Sequence, residues 1–188
     1  MEIDFEGLEE ALRVLGELLA DRELYYEVVA VGGGSLLLLG LILRPTRDLD
    51  LVGLVEEGQI VNADPLPLPL VETADEVGRA LQLEKGWLNI GPASLFKMGL
   101  PPGFMSRLHA RHYGGLTIYL ADRFDQICFK LYATVDQGVQ SKHFSDLITL
   151  KPSVDELEQA RSWCVTHDVS AIFEEEINQA MESIYASS

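Results

Sequence analysis

Asp48 and Asp50 flank Leu49 in the run Arg47-Asp48-Leu49-Asp50-Leu51-Val52. In an extended strand successive side chains alternate, so both carboxylates face one side and Leu49 and Leu51 the other. Two carboxylates side by side repel each other unless a cation lies between them. Such a pair can hold Mg2+ together with the phosphates of a nucleotide. The alternative is two solvated aspartates at a strand end, and an Asp-x-Asp spacing alone does not choose between these. Upstream, Val31-Gly32-Gly33-Gly34-Ser35 closes a valine-rich run that starts at Glu27. Successive glycines let backbone N–H groups approach an anion, a following helix presents its positive end, and Ser35 adds a hydroxyl. The alternative here is a tight strand-to-helix turn. The run is not a Walker A loop, because no Gly-Lys-Ser/Thr follows. It is also a poor dinucleotide fingerprint, because Leu37 stands where the third glycine belongs.

These residues need elements to position them. Leu8, Leu12, Leu15 and Leu19 recur at helical spacing and predict a helix over residues 5–19. Residues 27–31 read as a buried strand that the glycines end. Residues 36–43 read as a short, very apolar helix stopped by Pro45, and residues 47–52 as the strand bearing the aspartates. Residues 58–69, with three prolines, read as loop or edge structure. A helix over 73–84 is expected, capped by Thr73 with Glu76 closing a capping box. Residues 87–90 and 116–120 read as strands, and 91–103 as largely irregular. From Asp122 onward the chain reads as helices only, over 123–136, 141–150, 153–167 and 170–185. Serines open the last three, and Asp125 would close a capping box in the first.

Other polar residues carry weaker signals. Lys130, one of five lysines, sits mid-helix among Cys128, Phe129 and Leu131, where an ammonium group needs a partner or an exposed tip. Asp146 opens an apolar run and reads equally as a solvated helix residue. His109 and His112 have zinc-like spacing, but no cysteine or acid follows at ligand distance. With Arg107 and Arg111 they read as a small basic patch, the best local place for RNA or an acidic partner to dock. Glu174-Glu175-Glu176 reads as a solvated helix face.

The composition narrows the partners. Hydrophobic residues make up 47% of the 188, enough for a real core, and the formal net charge is −16. A surface so acidic repels phosphate backbones, which disfavours RNA and favours metal ions, nucleotide–metal complexes and basic protein partners. Cys128 and Cys164 form no CxxC pair and fit a reducing compartment. The beginning of the chain is acidic and lacks a signal-peptide n-region. The apolar run 36–43 is too short to cross a bilayer, so a cytoplasmic protein with no membrane partner is expected.

A Gly-Gly-Ser turn, one short helix and an Asp-x-Asp strand, with 13 positions from Ser35 to Asp48, resembles the opening of the DNA polymerase β-like nucleotidyltransferase superfamily. Further on come Trp87-Leu88-Asn89, then Leu120 to Ile127 running into Lys130-Leu131-Tyr132-Ala133, then Lys142 through Ser145-Asp146-Leu147. These stretches resemble a bacterial subgroup, the AbiEii-like nucleotidyltransferases related to abortive-infection toxins. The resemblance spans most of residues 28–150. It implies an α+β fold, with a small mixed β-sheet nucleotidyltransferase core flanked by helices over residues 1–120. A C-terminal helical region, residues 121–188, would pack on that core. It implies transfer of a nucleoside monophosphate from an NTP to an acceptor, within a toxin–antitoxin type of system and with a protein partner such as an antitoxin. Asp48 and Asp50 would hold Mg2+ (or Mn2+), and Gly33, Gly34 and Ser35 the nucleotide phosphates. Lys130 would reach a phosphate or the carboxylates, and Asp146 would be an accessory acid. Many members of the superfamily use a third carboxylate on a later strand. The strands expected here offer only Asn89 and Thr117, so a binding or regulatory module that has lost catalysis is the competing expectation.

Overall fold

The computed structural model describes residues 2–187 and shows an α+β chain that divides into two compact units, Met1–Ala121 and Asp122–Ser188. In the first unit, helix α1 (Phe5–Asp21) starts where the Asp4 side chain accepts the Gly7 N–H at 2.9 Å. It buries Leu8, Leu12, Leu15 and Leu19, the leucine stripe read from the sequence. Gly16 lies on the same face, and its carbonyl accepts the Gly115 N–H at 2.8 Å.

Strand β1 (Tyr26–Val31) runs through the middle of a mixed sheet. Helix α2 (Gly32–Leu38) follows at once, so all three glycines lie inside its first turn rather than before it. The expected helix over 36–43 is therefore displaced toward the N-terminus. It ends ahead of Gly40, whose φ of +69° lets the chain turn away, and Pro45 plays no part in stopping it. Strand β2 (Leu49–Glu56) pairs antiparallel with β1. A register shift leaves Val52 without a β1 partner, so Val29 lies opposite Gly53, Ala30 opposite Leu51, and Val31 opposite Asp50.

Strand β3 (Gln59–Asn62) returns along β2 through a two-residue turn, Glu57-Gly58, with φ of +49° and +74°. Helix α3 (Leu68–Ala80) starts five residues before the expected Thr73 cap. Thr73 is instead buried within it, and its hydroxyl donates to the Pro69 carbonyl at 2.7 Å, so the Ser/Thr-x-x-Glu pattern misled. Strand β4 (Leu88–Asn89) pairs parallel with β2. A short helix, α4 (Ala93–Met98), occupies part of the segment read as irregular.

Strand β5 (His109–Tyr113), read from its charges as a surface patch, pairs antiparallel with β6 (Leu116–Leu120) through a Gly114-Gly115 turn. Strand β6 lies parallel to β1, which completes the order β3-β2-β1-β6-β5, with β4 beside β2.

The second unit consists of α5 (Arg123–Gln137), α6 (Lys142–Leu150), α7 (Val154–Cys164) and α8 (Ala171–Ser187). Asp122 and Ser141 cap the first two helices as expected, and Ser153 with Glu156 makes a full capping box on α7. Asp125 is wholly buried. Arg123 donates to the Leu150 carbonyl at 2.7 Å and pairs with Glu156, which ties the end of α6 to the start of α7. Phe129, Tyr132, Trp163, His167 and Phe173 form a linked aromatic cluster. Cys128 and Cys164 are both buried thiols. Among the described residues no helix is long and apolar enough to cross a membrane.

Candidate functional site

The segment carrying the aspartates is clamped before it enters the sheet. Thr46 and Ile3 exchange two backbone hydrogen bonds, of 2.6 and 2.9 Å, and the Thr46 hydroxyl donates to the Asp48 carbonyl at 3.1 Å. Leu49 is wholly buried, and its N–H donates to the Trp87 carbonyl at 2.6 Å. Leu51 is wholly buried as well, while Asp48 and Asp50 are each partly exposed; β2 begins at Leu49 rather than at the expected Arg47, so only Asp50 is placed by strand alternation. Asp50 lies at the paired position between Val31 on β1 and Asn89 on β4.

The three glycines accept this segment piece by piece. A Cβ on Gly32 would stand 2.7 Å from Asp50 Oδ2. One on Gly33 would stand 3.3 Å from both an Arg44 guanidinium nitrogen and Thr46 Oγ1, and one on Gly34 would stand 2.8 Å from the Asp48 carbonyl oxygen. On the other side, Asp50 Oδ1 is 3.7 Å from where a Gly91 Cβ would be, and the Asn89 side chain accepts the Gly91 N–H at 2.7 Å. The glycines thus provide the close approach that puts the Asp50 carboxylate against the start of α2. Asp48 meets the turn through its backbone.

Gly32 and Gly33 are partly accessible, whereas Gly34 and Ser35 are buried. Ser35 Oγ is enclosed and has no hydrogen-bond partner among the described residues, so it retains hydrogen-bonding capacity at the inner end of the turn.

Lys130 and Asp146 belong to the second unit. Lys130 Nζ donates to Asp146 Oδ2 at 2.7 Å, and the two side chains are 4% and 2% exposed. Lysine with a solvated tip and aspartate on a solvated face are both set aside by that burial. A buried ammonium–carboxylate pair links α5 to α6 instead.

The histidine pair does not form a metal site. His109 and His112 are three apart on a strand, so they face opposite sides of the sheet. His112 Nδ1 lies 3.0 Å from Thr117 Oγ1. Arg111, counted in the basic patch, pairs with Glu9 at 2.5 Å and donates to the Leu38 carbonyl at 2.7 Å, so much of the patch's charge is used internally. Burial, with the Glu9 contact, pushes the neighbouring Tyr113 hydroxyl up to about 12.

Among the described residues no three His, Cys, Asp or Glu side chains are grouped to hold a metal ion. A protein-only cage is not what this place offers. The Asp50 carboxylate beside the glycine turn, with Asp48 two residues before it, suits a hard cation that takes its remaining ligands from water and phosphate, as Mg2+ does. Arg44, whose guanidinium lies against Gly33, stands four residues before Asp48 in a connection without periodicity, so no sequence pattern marks it. Compared with known family models, curated proteins and solved structures, the chain finds no match.

Proposed function

We propose that the chain is a metal-dependent nucleotidyltransferase, moving a nucleoside monophosphate from an NTP to an acceptor hydroxyl, phosphate or side chain and releasing pyrophosphate. The observation that carries the reading is the seat of the Asp50 carboxylate against Gly32, where the glycine turn opens. In this reading Asp48 and Asp50 hold Mg2+ (or Mn2+), and the backbone at Gly33 and Gly34, with the Ser35 hydroxyl, receives the phosphates. The bound cation would neutralise the triphosphate and lower the pKa of the attacking oxygen. The Asp48 and Asp50 carboxylates would orient it, on either side of the buried Leu49. The resemblance also enlists Lys130 and Asp146; here they are given the role of fixing α5 to α6, and the reading does not depend on them. A basic protein partner, such as an antitoxin, suits the acidic chain better than bare RNA.

The test is calorimetry of the purified protein with NTPs, with and without Mg2+ or Mn2+. Metal-dependent binding that Asp48→Asn with Asp50→Asn abolishes supports the site. Binding that ignores the metal and survives the double change sinks it. A second reading, a binding module on the same scaffold without catalysis, is favoured by Asn89 standing beside Asp50 in place of a third acid. That reading expects no metal-dependent nucleotide affinity and a tight protein partner.

A further inference from the structure

We propose that Arg44 is a phosphate-binding residue, holding the terminal phosphates of a nucleoside triphosphate against the glycine turn; the proposal rests on the nucleotidyltransferase reading above. The guanidinium nitrogens stand 3.3 and 3.6 Å from the place of a Gly33 Cβ, and Thr46 Oγ1 is 3.3 Å from the same point. Gly33 is partly accessible and Arg44 is half-buried, so the cation sits at the mouth of the turn rather than out in solvent. It is also held there. Its guanidinium donates to the Pro45 carbonyl at 3.2 Å, and Thr46, two residues on, is bonded to Ile3 on both sides of its peptide. The adjacent glycine carries the Asp50 carboxylate, so an acid and a guanidinium lie against neighbouring backbone positions.

That juxtaposition answers an electrostatic need. A triphosphate brings about four negative charges, and this chain carries 30 acidic against 14 basic residues. A cation held by Asp48 and Asp50 would cover the phosphates nearest to it. The remaining phosphate oxygens need a donor as well, and a guanidinium has N–H groups in a planar fork that matches phosphate oxygens. Arg47, by contrast, is exposed and lies outside the glycine contacts.

The experiment uses the full chain. Calorimetry measures affinity for ATP, GTP, CTP and UTP, each with Mn2+, and for the monophosphate of whichever binds best. Electron spin resonance measures Mn2+ alone. Arg44→Ala should weaken the triphosphate complex about tenfold or more, the size of a lost charge-assisted hydrogen bond. The monophosphate and Mn2+ affinities should hold. Arg44→Lys, which keeps the charge without the fork, should lose about threefold, and it carries the test if the alanine variant does not fold. Unchanged triphosphate affinity in both variants, or an equal loss for mono- and triphosphate, overturns the role of Arg44 while leaving the site reading intact. A wild-type chain that binds no Mn2+–nucleotide overturns the site reading, and this proposal with it.

Discussion

Replacing Gly32 with alanine should injure both stability and the site, and a second glycine separates the two effects. Gly32 has a φ of +76°, a conformation that costs an alanine about 1–2 kcal/mol. Its new methyl would also stand 2.7 Å from Asp50 Oδ2, whereas ordinary contact begins at 3.4 Å. The carboxylate must therefore retreat by the difference, 3.4 − 2.7 = 0.7 Å. Its other oxygen already faces the Asn89–Gly91 turn, which limits where it can go. Mg2+ demands near-ideal octahedral geometry, and a site displaced by more than about 0.5 Å is no longer productive. We expect Gly32→Ala to lose about 2 kcal/mol of stability, a melting point lower by ~4–8 °C. Mn2+–nucleotide affinity should fall about tenfold. The control is Gly40→Ala. Gly40 has a similar φ of +69° but nothing within 4 Å of its would-be Cβ. It should show the backbone cost, about 1 kcal/mol, with unchanged Mn2+–nucleotide affinity. Melting curves and calorimetry on the three proteins decide the matter. If Gly32→Ala binds as well as wild type, or Gly40→Ala loses as much affinity, the contact with Gly32 is not what positions the carboxylate proposed to hold the metal.

Two further outcomes concern the second unit. Lys130→Met removes the ammonium group paired with the buried Asp146 carboxylate and should cost about 3–5 kcal/mol in urea unfolding; adding Asp146→Asn should recover much of that, and strictly additive losses would show that the two are not coupled. His167 packs edge-on against Trp163 at 4.5 Å with Nε2 enclosed and without a hydrogen-bond partner among the described residues, and burial lowers its pKa below the ordinary 6.5. The unfolded chain then takes up this proton first, so stability falls as pH drops below about 6.5 and is insensitive to this group above it. His167→Leu should flatten the wild-type decline in melting temperature between about pH 7 and pH 5; parallel curves would remove His167 as its source.

Several features were legible in the residues themselves because their causes are local. The leucine stripe of α1 follows from helical period, and Ser141 and Ser153 cap helices because their hydroxyls meet N–H groups three residues on. Alternation along β2 leaves Asp50 partly exposed between the buried Leu49 and Leu51. Other features misled because the same residue types serve two conformations. Thr73 and Glu76 look like a helix start but lie inside α3, and the Arg111 of the expected basic patch, on the edge strand β5, is paired with Glu9.

The sequence by itself determined the α+β alternation and the helical second half. Only the tertiary structure decided what those groups meet: Asp50 against Gly32, Arg44 against Gly33, Asn89 beside Asp50, and Lys130 closed onto Asp146. The physical reason lies in sheet register. A one-residue shift, here the bulge at Val52, sets which residue of β2 lies opposite each residue of β1, and no local propensity encodes contacts between residues 11 to 39 positions apart.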